Sequence, residues 1–274
     1  MEIGLALGGG GARCFAQIGA LRALEEAGHR VVAISACSTA AFIGALSAAG
    51  SSAEQIHEIV KGADYGSFLN LRGRFGLMSQ DPIKDLLRPH LPATFEGLGI
   101  PFVVAAVDLQ EGEAVVLDSG ELLPAVCASN AFPGLFSPVC IGGRYLIDGG
   151  VLNLVPVDLV RARTAAPVVA VDVSLSEKRA VDLHENRNLW QRISTPLRRK
   201  RVPLFLDLLD KAYVITQNHV TQMRYAACPT DLLVKPGLDH DFRIQDFDRL
   251  NEAVALGYEA TSALLARLEP VTES

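Results

Sequence analysis

Ser38 is the residue on which a chemical reading of this chain turns. It stands at the centre of Ala36-Cys37-Ser38-Thr39-Ala40, where the apolar run 31–35 gives way to a helix of small residues. A strand that turns sharply into a helix pushes the middle side chain out above the sheet and tolerates only small residues two positions away on either side. A serine displayed in this way is a candidate nucleophile. The usual pattern is G-x-S-x-G, from which Ala36 and Ala40 each depart by one methyl group, and the pentapeptide alone reads as readily as a helix N-cap serine. Cys37 is a second candidate nucleophile, but only the central residue of such an elbow projects, which places Cys37 behind it.

A glycine-rich loop precedes the elbow. Residues 3–7 read as a short buried strand, followed by Gly8-Gly9-Gly10-Gly11-Ala12-Arg13-Cys14 and a helix whose apolar face is Phe15, Ile18, Leu21 and Leu24. Four glycines opening a helix present several backbone N–H groups in one concavity, where an anion can approach without meeting a Cβ atom. A dinucleotide site would need an acidic residue about 20 positions on, at the end of the second strand, where the chain has Ser35 and Ala36. A phosphate loop would need Gly-Lys-Ser/Thr, which does not follow. An oxyanion hole facing Ser38 accounts for the glycines better, since neighbouring parallel strands bring both loops to one edge of the sheet.

The third element is Asp148-Gly149-Gly150, after the apolar Tyr145-Leu146-Ile147. An aspartate at a strand end, with two glycines allowing close backbone approach, can reach across the sheet edge and accept the serine proton. In isolation the tripeptide is an ordinary Asp-Gly turn.

In this order the segments resemble the patatin-like phospholipase family. Gly9-Gly10-Gly11-Ala12-Arg13-Cys14 matches its G-G-G-x-R-G oxyanion loop, residues 36–40 its serine elbow and residues 148–150 its Asp-Gly-Gly/Ala motif. Residues 128–138, Ala-Ser-Asn-Ala-Phe-Pro-Gly-Leu-Phe-Ser-Pro, match its A-S-x-A-x-P-x-x-F-x-P segment. The resemblance implies a three-layer α/β/α sandwich around a mostly parallel sheet. It also implies a single domain over residues 1–274, with a motif-bearing core over about 1–175 and a helical C-terminal part over about 176–274. Ser38 would be the nucleophile, Asp148 the base of a Ser-Asp dyad, and Gly9, Gly10, Gly11 and Arg13 the oxyanion region, with Ala36, Cys37, Thr39, Ala40, Gly149 and Gly150 as motif neighbours. No metal or other cofactor is implied. The substrate expected is a glycerolipid or lysophospholipid ester.

Two other readings compete. An α/β-hydrolase triad would need a histidine after the acid, and only His184, His219 and His240 follow Asp148; none lies in a motif, and Ser38 follows too few strands for that fold. A catalytically weak regulatory or lipid-binding protein of the same fold is the second. It is motivated by Ala36 and Ala40 in place of glycines, Cys14 in place of the loop's closing glycine, and Gln17 where bacterial relatives often carry histidine.

Composition fits a globular enzyme. The chain has 274 residues, 49% hydrophobic and 20% charged, and a net charge of −6 argues against nucleic acid as a general partner. Five cysteines without C-x-x-C spacing suit a reducing compartment, and the start lacks the features of a secretory leader, so a cytoplasmic location is expected. The uncharged run 31–53 is long enough to span a bilayer but too rich in serine and alanine; strand, elbow and helix use it better.

Further along, residues 102–107, 114–117 and 168–173 read as strands, residues 121–129 as a helix, and the last helix carries Leu250, Val254, Tyr258, Leu265 and Leu268. Residues 62–80 read as a mobile acyl-binding lid or an ordinary long loop. Arg198-Arg199-Lys200-Arg201, before the apolar 203–206, reads first as a solvated turn and second as a patch resting peripherally on anionic lipid.

Overall fold

The computed structural model describes residues 1–65, 78–174, 204–239 and 241–267. Most of the expected lid and the whole basic cluster Arg198–Arg201 lie outside these residues. The strands are β1 (Glu2–Leu7), β2 (Arg30–Cys37), β3 (Phe102–Asp108), β4 (Ala114–Leu117), β5 (Val139–Ile141), β6 (Arg144–Asp148), β7 (Val168–Val171) and β8 (Leu232–Val234). The helices are α1 (Ala16–Glu26), α2 (Ala40–Ala48), α3 (Ala53–Lys61), α4 (Asp81–Leu87), α5 (Leu122–Ser129), α6 (Val157–Arg161), α7 (Leu204–Ala227) and α8 (Leu250–Ala266).

The strands form one sheet in the order β5-β6-β3-β2-β1-β7-β8, with β4 also paired to β3. From β3 to β8 all neighbours are parallel, and β4, β5 and β6 add an antiparallel flank. The central strands are apolar on both faces, as a sheet covered on two sides requires. Alternation sorts the residues by size. Leu5, Leu7, Ile34, Val169 and Val171 join the larger core with α1, α2, α3, α5 and α8, whereas Ala6, Ala33, Val168 and Ala170 meet Leu154, Val155 and the α6 residues Val157 and Val160. The result is the expected three-layer α/β/α architecture.

Helix α8 crosses α1 at backbone distance. A Cβ added to Gly257 would lie 1.8 Å from the Ala16 carbonyl oxygen, and one on Gly19 would lie 1.9 Å from the Val254 oxygen. The short turn Gly11–Phe15 leads directly into α1, so this crossing bears on the glycine loop as well as on the core. Among the described residues no helix is long and apolar enough to cross a membrane.

Candidate active site

Strand pairing explains why residues 110 positions apart in sequence meet. Strand β3 has three partners and two edges. Cys37 of β2 pairs with Ala105, Asp148 of β6 pairs with Ala106, and β4 covers both positions from the other side. Strands β2 and β6 therefore share one edge of β3, run toward each other, and end side by side. The residue after β2 and the last residue of β6 are Ser38 and Asp148. Gly149 makes the junction possible, because a Cβ there would lie 2.3 Å from the Ala105 carbonyl oxygen.

Ser38 has φ +58°, the only positive value at a non-glycine among the described residues. Its Oγ donates to Asp148 Oδ2 at 2.6 Å, and its backbone N–H donates to Ser129 Oγ at 3.1 Å. The strain of the elbow thus falls on the serine itself. Ala36 and Ala40 keep φ values open to any residue and are fully buried in the main core. The two alanines that replace the pattern's glycines carry no such strain, since neither backbone enters the region that favours glycine.

Asp148 is 1% exposed. Its Oδ1 accepts from the Gly150 N–H at 2.7 Å and faces the Cys37 thiol at 3.7 Å. Burial pushes its carboxyl up to about 6, and the donors from Ser38, Gly150 and Cys37 pull the other way without reversing the shift. The Cys37 thiol is held well above its usual range by burial and then by the Asp148 charge, so it stays protonated and is no nucleophile.

The glycine loop lies against the elbow. The N–H groups of Gly8, Gly9 and Ala12 donate to Val171 O, Leu154 O and Ile244 O. Among the described residues no acceptor takes the N–H of Gly10 or Gly11. Arg13 Nε donates to Gly10 O at 3.1 Å; since C=O and N–H of one trans peptide point in opposite directions, this hold turns the Gly11 N–H away from Arg13. Arg13 thus fixes the loop, and Gly9 contributes its small size while its N–H is engaged elsewhere. Gly11 has φ +59°, and a Cβ on it would lie 2.5 Å from Ile244 O. Cys14 and Gln17 sit fully buried beneath the loop, and Gln17 Nε2 donates to Gly8 O at 2.5 Å.

Ser38, Asp148 and Gly9–Gly11 open on one pocket of about 1330 Å³, open mouth included, whose walls run through Phe15, Phe42, Ile43, Val60, Ile83, Leu87, Phe132 and Phe136. Tyr65 and Met78, at the two ends of the undescribed part of the expected lid, also line it. No histidine among the described residues lines the pocket; His57 bonds Asn251 and His29 meets the N-terminus. Two positioning contacts had no expectation attached. Asn130 Oδ1 accepts from Thr39 Oγ1 at 3.0 Å, and Gln217 Nε2 of α7 donates to Gly150 O at 2.9 Å. Asn130 lies in a matched segment. Gln217 is an ordinary polar residue on a helix, and no spacing singles it out.

An NTE family protein of Mycobacterium tuberculosis is 36% identical over 181 residues, covering 64% of this chain and 50% of that protein. Lysophospholipase NTE1 of Phaeosphaeria nodorum is 28% identical over 303 residues, covering 99% of this chain and 19% of its own length. The chain therefore spans half or less of the length of these relatives. The crystal structure of VipD from Legionella pneumophila shares the fold at 14% identity, with a TM-score of 0.54 over 97% of this chain and 66% of that one. The family model for patatin-like phospholipases matches residues 5–161, which takes in the glycine loop, the elbow, the 128–138 segment and the aspartate, and the chain belongs to that family.

Proposed function

We propose that this chain is a serine acyl hydrolase for glycerolipid or lysophospholipid esters, working as one domain with a Ser38–Asp148 dyad. The observation that carries the reading is the 2.6 Å hydrogen bond from a strained, outward-turned serine to a buried carboxylate at the head of an apolar pocket. The apolar walls suit a fatty acyl chain, and the name of the fungal relative, a lysophospholipase, is consistent with such a substrate.

The chemistry follows from the contacts. Asp148 accepts the Ser38 proton as Oγ attacks the ester carbonyl, and its raised affinity for protons suits it to the task. The carbonyl oxygen takes up negative charge and is met by the N–H groups of Gly10 and Gly11, aimed before the substrate arrives. The C–O bond to the alcohol then breaks, Asp148 returns the proton to the leaving oxygen, and the acyl group remains on Ser38. Water, deprotonated by Asp148, repeats the sequence in reverse and frees the fatty acid. The unstrained alanines at the elbow favour this reading over a catalytically weak lipid-binding protein.

A fluorophosphonate probe reports a competent nucleophile without a guessed substrate. Wild type should be labelled and Ser38→Ala should not. An unlabelled wild type would overturn the dyad and leave the lipid-binding alternative.

A further inference from the structure

Beside the dyad stands a side chain whose donor the chemistry above leaves unused. Residues 129–131 touch both members of the dyad. Ser129 Oγ accepts from the Ser38 N–H at 3.1 Å, and Ala131 O accepts from the Asp148 N–H at 3.0 Å. Asn130, between them, lines the pocket and is 4% exposed. Its Oδ1 accepts from Thr39 Oγ1 at 3.0 Å, which ties the amide to the residue next to the nucleophile. Its Nδ2 has no acceptor among the described residues, yet it is not one of the orphaned polar atoms shut inside the protein, so this donor opens on the pocket. A buried amide with one end held and the other facing a ligand cavity is equipped to recognise an oxygen of the ligand.

The order of the strands narrows which oxygen that is. Ser38 follows β2. The glycine loop follows β1, the neighbour on one side, whereas Asn130 follows α5, whose Ala128 packs with Ala106 of β3 and Leu146 of β6, the strands on the other side. An ester carbonyl oxygen held by the N–H groups of Gly10 and Gly11 therefore lies across Ser38 from Asn130. Two parts of the substrate remain. The acyl chain carries no acceptor; the alcohol of a glycerol ester carries an oxygen on the carbon next to the ester-bearing one.

We propose that Asn130 Nδ2 donates a hydrogen bond to the alcohol portion of the substrate, at the hydroxyl or acyloxy oxygen on the carbon next to the ester-bearing one, and so selects glycerol-type esters over simple alkyl esters. The proposal rests on the Ser38–Asp148 reading and names the substrate feature that this site reads. Asn130 takes no part in making or breaking bonds. Its contact is present in the bound ester and during attack alike, so it acts on binding. Asn130 occupies the open position of the A-S-x-A segment, where the choice of side chain sets this chain's own preference.

The test compares monobutyrylglycerol with propyl butyrate, which share the acyl chain and differ by the two hydroxyls of the alcohol. Asn130→Leu fills the same space without a donor. Asn130→Ala clears the space with little risk to the fold, since φ −100° and ψ 7° at this position suit any residue. In each variant, kcat/KM for the glycerol ester should fall relative to the propyl ester by about fivefold or more, chiefly through KM. Taking the ratio within one variant cancels any disturbance of Ser38, Thr39 or Asp148, which both esters share. An unchanged ratio in either variant, whether both activities fall together or neither falls, would overturn the proposal. Fluorophosphonate labelling of the wild type separates the two claims. Labelled wild type with an unchanged ester ratio removes the role of Asn130 and keeps the dyad, whereas unlabelled wild type removes both.

Discussion

Asp148 is held where it is useful to chemistry and unfavourable to stability. A fully buried carboxyl raised from 3.8 to about 6 binds its proton more tightly folded than unfolded. Its contribution to stability is thus complete below about pH 4 and is lost as pH rises through about 6. Asp148→Asn nearly matches the carboxylate in shape, and its oxygen can still accept from Gly150 while Ser38 Oγ can accept from its amide. The variant should lose ester hydrolysis by about 100-fold or more, since the amide accepts no proton. It should also be more stable than wild type by about 2–3 kcal/mol at pH 8 and nearly equal to it at pH 4, as denaturant melts at the two pH values would show. Asparagine with near-wild-type turnover would exclude Asp148 as the base. For the wild type, kcat/KM for a soluble ester should be level above about pH 7 and fall tenfold per pH unit well below about pH 6, because only the ionised carboxylate takes the serine proton. An acid limb centred near pH 4 would mean that burial does not govern this group in solution.

At the scale of the element, the elbow shows how alanine replaces glycine without distortion. Ala36 is the penultimate residue of β2 and Ala40 opens α2, both fully buried, and the left-handed residue lies between them. The methyl groups fill core space instead of straining the turn. Ala36→Gly/Ala40→Gly therefore removes two buried methyls and adds backbone freedom in a strand and in a first helical turn, at a combined cost of about 2 kcal/mol or more. Turnover of a soluble ester should not rise. A faster double variant with unchanged stability would show that the natural elbow is impaired. The four matched segments and the central strands were legible in the sequence because each rests on local sterics or on an uninterrupted apolar run. Strands β5 and β8 were not, since three residues carry too little pattern.

Across the whole molecule, the C-terminal part reaches back to the site at three places. Ile244 O receives the Ala12 N–H and closes over Gly11; Gln217 holds the Gly150 carbonyl; α8 seats on α1 through Gly257 and Gly19. Gly257→Ala would place a methyl within 2 Å of the Ala16 backbone, which can be relieved only by separating the two helices. The expected cost is at least about 3 kcal/mol, read as a lower denaturation midpoint. Because Ala16 continues directly from the Gly11–Phe15 turn, the remaining folded protein should hydrolyse a soluble ester at least tenfold more slowly. A variant with wild-type stability and rate would mean that this crossing can open without disturbing the loop.

By itself the sequence determined the parts: a glycine loop for an oxyanion, an elbow with an exposed serine, an aspartate at a strand end, and buried strands that call for helices on two faces. Each of these is a property of a few consecutive residues, whose steric limits and hydrophobic period are written locally. Tertiary structure decided how the parts meet. That β6 returns antiparallel along the edge of β3 already used by β2, so that two strand ends bring Ser38 to Asp148, depends on pairing across 110 residues. That Gln217 reaches the Gly150 carbonyl depends on where α7 docks. Such choices are made by the packing energy of the whole chain, which no short window of sequence contains.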